Sequence, residues 1–450
     1  MPTQIATTNL QGGKPPRPDA SLIESLLAEE VFLPPEPASI EETGISPVLI
    51  ESLTLKYLLQ VGSGSGREIA QTLCLPLRIL EDLLQNLRRR QLLVHQGQTQ
   101  FSDYRYALTE AGVERARVAM ASSAYVGAAP VLLEDYVLSV EAQTIRAEAI
   151  RRHHLQSAFG DIRVEASMVA QLGPAINSGA GLFLYGSAGN GKTTLAKRIT
   201  KCFGQPIWIP RTLCEDGQFV KLFDPAFHEP VGAGQSNVLR DETYDHRWVK
   251  IRRPTVVVGG ELVLDSLEIR HDASTNVSEA PLQLKSNCGC LLIDDFGRQR
   301  VEPQQLLNRW IVPLESRVDY LALSTGKKIQ VPFDQLIIFS TNLEPTDLAD
   351  EAFLRRIPYK IELPDPSFDE YSRLFEMYCR EVGCRFDARA VDYLMEKHYR
   401  PANRPLRRCQ PRDLLYQAKN YCAFHDLPVE LRPEVLDHVA KSYFTAVSGQ

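Results

Sequence analysis

The sequence has 450 residues, 44% of them apolar and 24% charged, which is typical of a globular protein with about two to four domains. The formal net charge of −6 at pH 7 disfavours nucleic acid as a partner of the whole chain, because that function usually requires a basic surplus. The nine cysteines show no paired CxxC spacing, which argues against a disulfide framework and a zinc site and favours a reducing cytoplasm.

The first 40 residues predict a flexible lead-in. They contain seven prolines and few aromatic residues, and they allow one short helix, Ser21 to Glu29. They carry no charged-then-apolar signal pattern, and no apolar run in the chain approaches the roughly 20 residues that cross a bilayer. We therefore expect a cytoplasmic protein without membrane insertion.

From Ser46 the pattern alternates between helical and strand-like stretches. The predicted elements are helices at Val48–Leu59, Arg67–Leu73 and Leu77–Arg90, strands at Leu92–Val94 and Tyr104–Ala107, and a helix from Thr109. This order, and the stretch Tyr106–Gly112 at the junction of hairpin and last helix, resembles the winged helix-turn-helix family. The resemblance covers residues 41–125 and implies a domain whose third helix commonly binds DNA.

The charge of this segment favours a protein-docking or regulatory role, with DNA contact as the weaker alternative. The third predicted helix begins Leu77–Asp82, which is apolar and acidic where base-reading side chains would lie. From Val48 to Met120 there are nine basic and seven acidic side chains. The run Arg88–Arg90 suits either phosphate contact or a solvated helix end that complements the helix dipole.

A linker and a lead helix are predicted over residues 126–154, followed by a phosphate loop. The apolar segment Leu155–Ile162 is a candidate resting place for an adenine ring. The run Gly186–Thr194 then matches G-x-x-x-x-G-K-[ST] between the apolar run Leu182–Tyr185 and the helical run Leu195–Ile199. Backbone N–H groups of such a loop and the following helix N-terminus hold phosphates. The predicted ATP-binding residues are Gly186, Ser187, Ala188, Gly189, Asn190, Gly191, Lys192, Thr193 and Thr194.

Within this loop Lys192 is expected to reach the outer phosphates, and the Thr193 hydroxyl to bind Mg²⁺. A buried strand, Gly289–Asp295, ends in two carboxylates. A carboxylate at a strand tip beside the phosphate loop holds Mg²⁺, so Asp294 takes that role. Asp295 would polarise the attacking water.

Three further motifs follow: a buried strand Leu336–Asn342, the run Asp350–Pro358 with paired arginines, and Gln410–Leu414 in a helical tail. The order of these parts after the phosphate loop closely resembles the AAA+ ATPase superfamily over about residues 155–450. The resemblance implies an α/β P-loop NTPase core with a C-terminal helical lid. It also implies that Asn342 is the first sensor, Arg412 the second sensor, and Arg356, or else Arg355, the arginine finger. Most members carry Glu where this chain has Asp295.

Two β-rich runs are predicted to form hairpins. Thr255–Leu264 surrounds a Gly-Gly turn and reads as an inserted hairpin or, equally, a plain structural turn, and Asp319–Val331 precedes the Asn-ending strand. The pair resembles the AAA+ branch with an insert in the second helix and a hairpin before the first sensor. That branch includes MoxR-type chaperone ATPases and enhancer-binding ATPases, whose hairpins push on a protein substrate.

Helical spacing continues from Pro366 to the C-terminus and predicts a small helical lid. Its predicted helices are Phe368–Val382, Ala388–His398, Arg412–Phe424 and Pro433–Phe444. The predicted divisions are a lead-in (1–40), a winged-helix domain (41–125), a linker (126–154), an α/β nucleotide-binding domain (155–363) and a lid (364–450).

The leading hypothesis is an ATPase using ATP and Mg²⁺, in a homo-oligomeric ring, that remodels a protein client selected through the winged-helix domain. The first alternative is a DNA-acting or transcription-linked ATPase that holds a duplex with this domain. The second is a nucleotide-gated scaffold that hydrolyses ATP poorly, suggested by the short side chain of Asp295.

Overall fold

The computed structural model describes residues 32–98, 103–147, 149–160, 162, 164–231 and 243–445. Most of the predicted lead-in, residues 1–31, lies outside the described residues, together with its predicted helix Ser21–Glu29. Within the described ranges, no helix is both long and apolar enough to span a membrane.

The N-terminal part consists of four helices and a small antiparallel sheet. Its elements are α1 (Pro47–Val61), β1 (Ser63–Ser65), α2 (Gly66–Leu73), α3 (Leu77–Arg89), β2 (Leu93–Gln98), β3 (Tyr104–Leu108) and α4 (Glu110–Ser122). The strands pair in the order β1-β3-β2. Helix α2 begins where Ser65 and Glu68 form a capping box, which satisfies backbone N–H groups of its first turn. The four helices and the β2–β3 hairpin follow the predicted order, but the Gly-Ser stretch expected to be a turn forms β1, which pairs with β3. The assignment to the winged-helix family stays a prediction.

The middle part alternates short strands and helices. Its elements are β4 (Val131–Leu132), α5 (Leu133–Ala142), α6 (Arg152–Ala158), α7 (Ala166–Ser178), β5 (Leu182–Tyr185), α8 (Lys192–Ile199), β6 (Ile207–Pro210), β7 (Thr212–Glu215), β8 (Gln218–Lys221), β9 (Trp248–Ile251), β10 (Thr255–Val258), β11 (Arg270–Asp272), β12 (Val277–Glu279), α9 (Leu282–Lys285), β13 (Cys290–Ile293), α10 (Pro303–Arg309), α11 (Ile311–Ser316), β14 (Val318–Ala322), β15 (Lys328–Pro332), β16 (Leu336–Ser340), α12 (Pro345–Leu348), α13 (Glu351–Leu354) and β17 (Tyr359–Glu362).

The central element is a five-stranded sheet in the order β10-β13-β16-β5-β17, in which every neighbouring pair is parallel. Strands β13 and β16 are buried along their whole length, which explains their continuous apolar sequences. Because parallel strands share one carboxyl edge, the loop after β5 and the residues after β13 and β16 lie at that edge. The predicted α/β fold class, with the parallel sheet of a P-loop NTPase core, is confirmed.

The predicted hairpin at Thr255–Leu264 is wrong. Its first half is β10, the edge strand of the parallel sheet, in register with β13 from Thr255 opposite Cys290 to Val258 opposite Ile293. Gly259 and Gly260 only turn the chain into a short 3₁₀ helix, Leu264–Leu267. The plain-turn alternative is therefore the correct one for these glycines.

A second five-stranded sheet, in the order β11-β12-β8-β7-β4, lies outside the core sheet. The predicted hairpin over Asp319–Val331 is confirmed as β14 and β15, in which these two residues are directly paired. Its turn docks on the turn between β7 and β8. There, the Lys327 ammonium lies 3.1 Å from a carboxylate oxygen of Glu215 and 2.7 Å from one of Asp216. The apolar side of this hairpin belongs to one core with β7, β8 and α5.

The segment predicted as a linker, residues 126–154, packs with the second sheet. It supplies β4 to the sheet, and helix α5 buries Tyr136 completely. A buried arginine joins three parts of the chain here. The Arg247 guanidinium pairs with Asp245 at 2.7 Å and donates to the carbonyl oxygens of Thr43, at 2.9 Å, and Pro130, at 3.1 Å. The N-terminal part is therefore packed against the inserted strands, which are β6 to β9 between α8 and β10.

The C-terminal part is helical, as predicted. Its helices are α14 (Phe368–Val382), α15 (Ala388–Leu394), α16 (Gln410–Phe424) and α17 (Pro433–Thr445), and a π-helical turn, Met395–Tyr399, follows α15. The bounds of α14 agree with the prediction, because Ser367 caps it at one end and Gly383 adopts the left-handed conformation at the other. These helices share an apolar core of their own.

Candidate active site

The phosphate loop connects β5 to α8 and depends on its glycines. Gly186, Gly189 and Gly191 have φ angles of 126°, 85° and 87°, values that favour glycine. A Cβ on Gly186 would lie 2.5 Å from the carbonyl oxygen of Leu363, and one on Gly189 would lie 2.5 Å from the sulfur of Cys409. The loop therefore packs tightly against the segment after β17 and against the residue that directly precedes α16.

Lys192 lies at the centre of the site. Its ammonium donates to the carbonyl oxygens of Gly186, at 2.8 Å, and Ser187, at 3.0 Å, and to Oδ1 of Asn342 at 2.6 Å. Burial lowers the pKa of Lys192, whereas the nearby carboxylates Asp295 and Asp294 oppose that shift. The structure thus brings the predicted phosphate-binding lysine and the predicted first sensor into direct contact.

The predicted Mg²⁺ ligands also meet. The Thr193 hydroxyl lies 2.9 Å and 2.8 Å from the two carboxylate oxygens of Asp294. A hydroxyl and a carboxylate are hard oxygen donors of the kind that Mg²⁺ prefers, so the residues fit the ion. Thr193 is the second residue of α8, and Asp294 directly follows β13, so the adjacent ends of a helix and a strand create this pair.

Asp295 is exposed beside this pair and has a φ of 50°, a left-handed conformation that Asp tolerates better than most residues. Its Oδ1 lies 3.5 Å from Nδ2 of Asn342, at the outer limit of a hydrogen bond. One amide therefore faces both the ammonium of Lys192 and the carboxylate of Asp295. The predicted water-activating group and the predicted sensor stand at the same edge of the sheet.

The segment directly before α16 contacts the loop through residues that were not among the predicted site residues. The N–H of Cys409 donates to the carbonyl oxygen of Gly189 at 2.9 Å, and the N–H of Arg408 donates to Oδ1 of Asn190 at 3.3 Å. Arg407 forms an ion pair with Asp365, which also accepts a hydrogen bond of 2.7 Å from Nδ2 of Asn190. The available signals were the arginine-rich stretch Arg404–Arg408 and an acidic residue three positions after β17.

The predicted second sensor, Arg412, lies on α16 with its side chain 52% exposed. Its Nε donates to Oδ1 of the neighbouring Asp413 at 2.9 Å. The arginine that the structure brings to the surroundings of the loop is Arg407, whose Cβ lies 3.8 Å from the position of a Cβ on Gly189. The role of Arg412 stays a prediction.

The two candidate finger arginines differ in their surroundings. Nε of Arg356 donates to Oε1 of Glu315 at 2.6 Å, and only 18% of the Arg356 side chain is exposed. Arg355 is exposed. Asp350 caps α13 by accepting the N–H of Phe353 at 2.8 Å.

A cavity of about 590 Å³ lies between the segment before β5 and the helical C-terminal part. Apolar side chains, including Ile162, Val164, Leu374 and Met377, line it together with charged groups such as Arg408. Its volume lies within the range of small-molecule sites, and Arg408 connects it to the loop through Asn190. The cavity includes part of the segment predicted to receive an adenine ring.

A family model described as a domain of unknown function (DUF8689) matches residues 367–442, which cover α14 to α16 and most of α17. No curated protein matches the chain in sequence. The fold resembles NtrX from Brucella abortus in complex with ADP, with 13% identity and a TM-score of 0.36 over 60% of this chain and 53% of that chain. The chain thus spans about half of the length of NtrX.

Two further solved structures show likenesses of similar strength. The complex of subunits BchI and BchD of magnesium chelatase has 16% identity and a TM-score of 0.32, covering 62% of this chain and 91% of that chain. A RuvB variant from Thermotoga maritima has 11% identity and a TM-score of 0.35, covering 67% and 73%. These likenesses are too slight to carry an argument about activity, and the fold class rests on the sheet order and the loop.

Proposed function

We propose that the chain binds ATP with Mg²⁺ and hydrolyses it, as an AAA+ ATPase that remodels a protein client. The observation that carries the proposal is the convergence at one sheet edge of Lys192, Asn342 and the Thr193–Asp294 pair. A buried ammonium that bonds to loop carbonyl oxygens exchanges those acceptors for phosphate oxygens at little cost in geometry. The charge of Lys192 then stabilises the negative charge that develops during phosphoryl transfer.

The chain's own groups supply the remaining chemistry. Thr193 and Asp294 would hold Mg²⁺, which supplies neutralising charge at the phosphates when bound. Asp295 would accept a proton from the water that attacks the terminal phosphorus, and Asn342 would orient that water and sense the phosphate. Attack forms a bond from the water oxygen to phosphorus and breaks the bond to the ADP oxygen.

Completion of the site by a neighbouring subunit is part of the proposal. Arg355 is exposed, whereas Glu315 engages Arg356, so Arg355 is the better placed of the two to reach an adjoining molecule's phosphates. A guanidinium from a neighbour accelerates phosphoryl transfer by on the order of 10³ or more in enzymes that use one. A finger that acts in this way requires a homo-oligomer, which we propose to be a ring.

The packing of the N-terminal part favours a protein client over DNA. Nη2 of Arg78, near the start of α3, donates to Glu36 at 2.9 Å and to the carbonyl oxygen of Pro37 at 3.3 Å, so the preceding segment covers this end of the helix. The next exposed side chains on α3 are the acids Glu81 and Asp82. Both features oppose entry of the helix into a DNA groove.

ATP binding by the full chain tests the nucleotide site directly. We expect isothermal titration to show binding that Lys192→Ala abolishes or weakens at least about 100-fold, because the substitution removes a buried cation from the phosphate loop. Lys197→Ala is the matched control, since Lys197 is exposed on the same helix. Equal affinities of the wild type and Lys192→Ala would refute the assignment.

A further inference from the structure

Asp365 places a negative charge where the loop meets the helical C-terminal part. It follows β17 by three residues, and its carboxylate accepts Nδ2–H of Asn190 at 2.7 Å while pairing with the Arg407 guanidinium. The same amide of Asn190 lies 3.4 Å from the carbonyl oxygen of Leu363. A residue of the phosphate loop, the exit of a core strand and an arginine of the C-terminal part therefore meet on one carboxylate.

Arg407 stands within electrostatic reach of the phosphate end of the site. The Cβ atom of Arg407 lies 3.8 Å from the position that a Cβ on Gly189 of the phosphate loop would occupy. Burial of Asp365 would raise its pKa, but the hydrogen bonds from Asn190 and Arg407 outweigh this and lower it, so the carboxylate is charged at neutral pH. A phosphate entering the loop would meet a guanidinium that is already engaged.

We propose that Asp365 competes with bound phosphate for Arg407, so that nucleotide binding transfers the guanidinium from the carboxylate to the nucleotide. Asp365 is then a positioning residue that weakens nucleotide affinity and links occupancy of the loop to the position of the C-terminal helices. This inference rests on the proposed nucleotide site and deepens it.

The contacts around Arg407 explain how such a transfer reaches the lid. Arg407 is followed by Arg408 and Cys409, whose N–H groups donate to Asn190 and Gly189 in the loop. Cys409 directly precedes α16, the helix that packs against α14 and α17. Movement of Arg407 toward phosphate would therefore shift Arg408 and Cys409, which connect the loop to α16.

Asp365→Asn separates competition from a purely structural role. The amide keeps an oxygen that accepts from Asn190 but loses the charge that holds Arg407, and we expect the ATP dissociation constant to fall about fivefold. A structural role predicts the opposite sign, since a loosened Asn190 would weaken binding. Asp369→Asn is the control, because it removes one exposed charge four residues along the chain.

Arg407→Gln provides the second variant and should weaken ATP binding about tenfold or more. In the Arg407→Gln background, Asp365→Asn should change affinity less than about twofold, because the competitor has lost its partner. Thermal unfolding first establishes that each full-length variant is folded. Titration with ATP then measures the dissociation constant of each variant.

The outcomes distinguish this inference from the proposed function. Unchanged or weaker binding by Asp365→Asn overturns the competition, and so does an equal gain in the Arg407→Gln background, which would indicate plain charge repulsion. In each of these cases ATP binding that depends on Lys192 leaves the proposed function standing. A wild-type chain that binds no ATP overturns both.

Discussion

Replacing Arg247 by Ala should loosen the N-terminal part from the inserted strands. The side chains of Arg247 and Asp245 are only 5% and 3% exposed, so the substitution leaves a buried carboxylate without its ion-pair partner. It also removes the donor to the carbonyl oxygens of Thr43 and Pro130. Breaking a buried pair from one side costs about 3–5 kcal/mol, and the lost carbonyl contacts place this case toward the upper end.

Equilibrium unfolding in urea, followed by tryptophan fluorescence, measures the loss. Trp248 immediately follows Arg247 and packs in a small cluster with Trp208. The fluorescence of these two residues therefore reports on the contact between the N-terminal part and the inserted strands. The matched control is Arg252→Ala: Arg252 and Glu229 form a pair 3.2 Å apart whose side chains are 71% and 73% exposed. That control should cost at most about 1 kcal/mol. Equal, small losses for the two variants would refute the view that Arg247 fastens the parts together.

Three further predictions concern the site and its surroundings. Asp295→Asn should leave ATP bound but slow phosphate release at least about 100-fold, because the amide accepts no proton; turnover near the wild-type rate would identify another base. Arg355→Ala should slow turnover about 10³-fold and regain part of it on mixing with Lys192→Ala, whereas loss without rescue contradicts a finger acting on a neighbour. Burial lowers the pKa of His228 from 6.5, so the stability of the folded chain should fall as pH drops below 6.5. His228→Gln should flatten this pH dependence in thermal unfolding; an unchanged dependence would mean that another group causes it.

The geometry around His228 gives this last prediction its sign. Its Nδ1 accepts the N–H of Asp224 at 3.0 Å, and its Nε2 lies 2.8 Å from the carbonyl oxygen of Lys285, an arrangement that suits the neutral ring. Protonation would turn the accepting nitrogen into a donor facing another donor. The folded-state pKa is lowered, so this stability is present above the unfolded-state pKa and is lost as pH falls through the folded-state value.

Those parts of the fold that obey local rules were predictable from the sequence. The phosphate loop has its glycines at positions of positive φ, and the strands that precede Asp294 and Asn342 are continuous apolar runs because both of their faces are covered. Ser367 and Gly383 are recognisable in the sequence as the N-terminal and C-terminal caps of helix α14. In each of these elements the local sequence and the final environment favour the same structure.

Long-range pairing decided the features that the sequence analysis missed. Both halves of Thr255–Leu264 are rich in β-forming residues around a Gly-Gly turn, yet β10 pairs with β13, more than thirty residues later. The second sheet joins strands of two to four residues from distant segments, for which periodicity gives almost no signal. The contact between Arg407 and Asp365 likewise depends on how the helical part folds back onto the loop.

The most direct test of the central claim is steady-state release of phosphate from ATP by the full-length chain. We predict turnover that requires Mg²⁺, that Lys192→Ala abolishes and that Lys197→Ala leaves near the wild-type rate. Tight ATP binding without turnover would instead support the nucleotide-gated scaffold. Turnover that persists unchanged in Lys192→Ala would contradict the assignment of the phosphate loop as the active site.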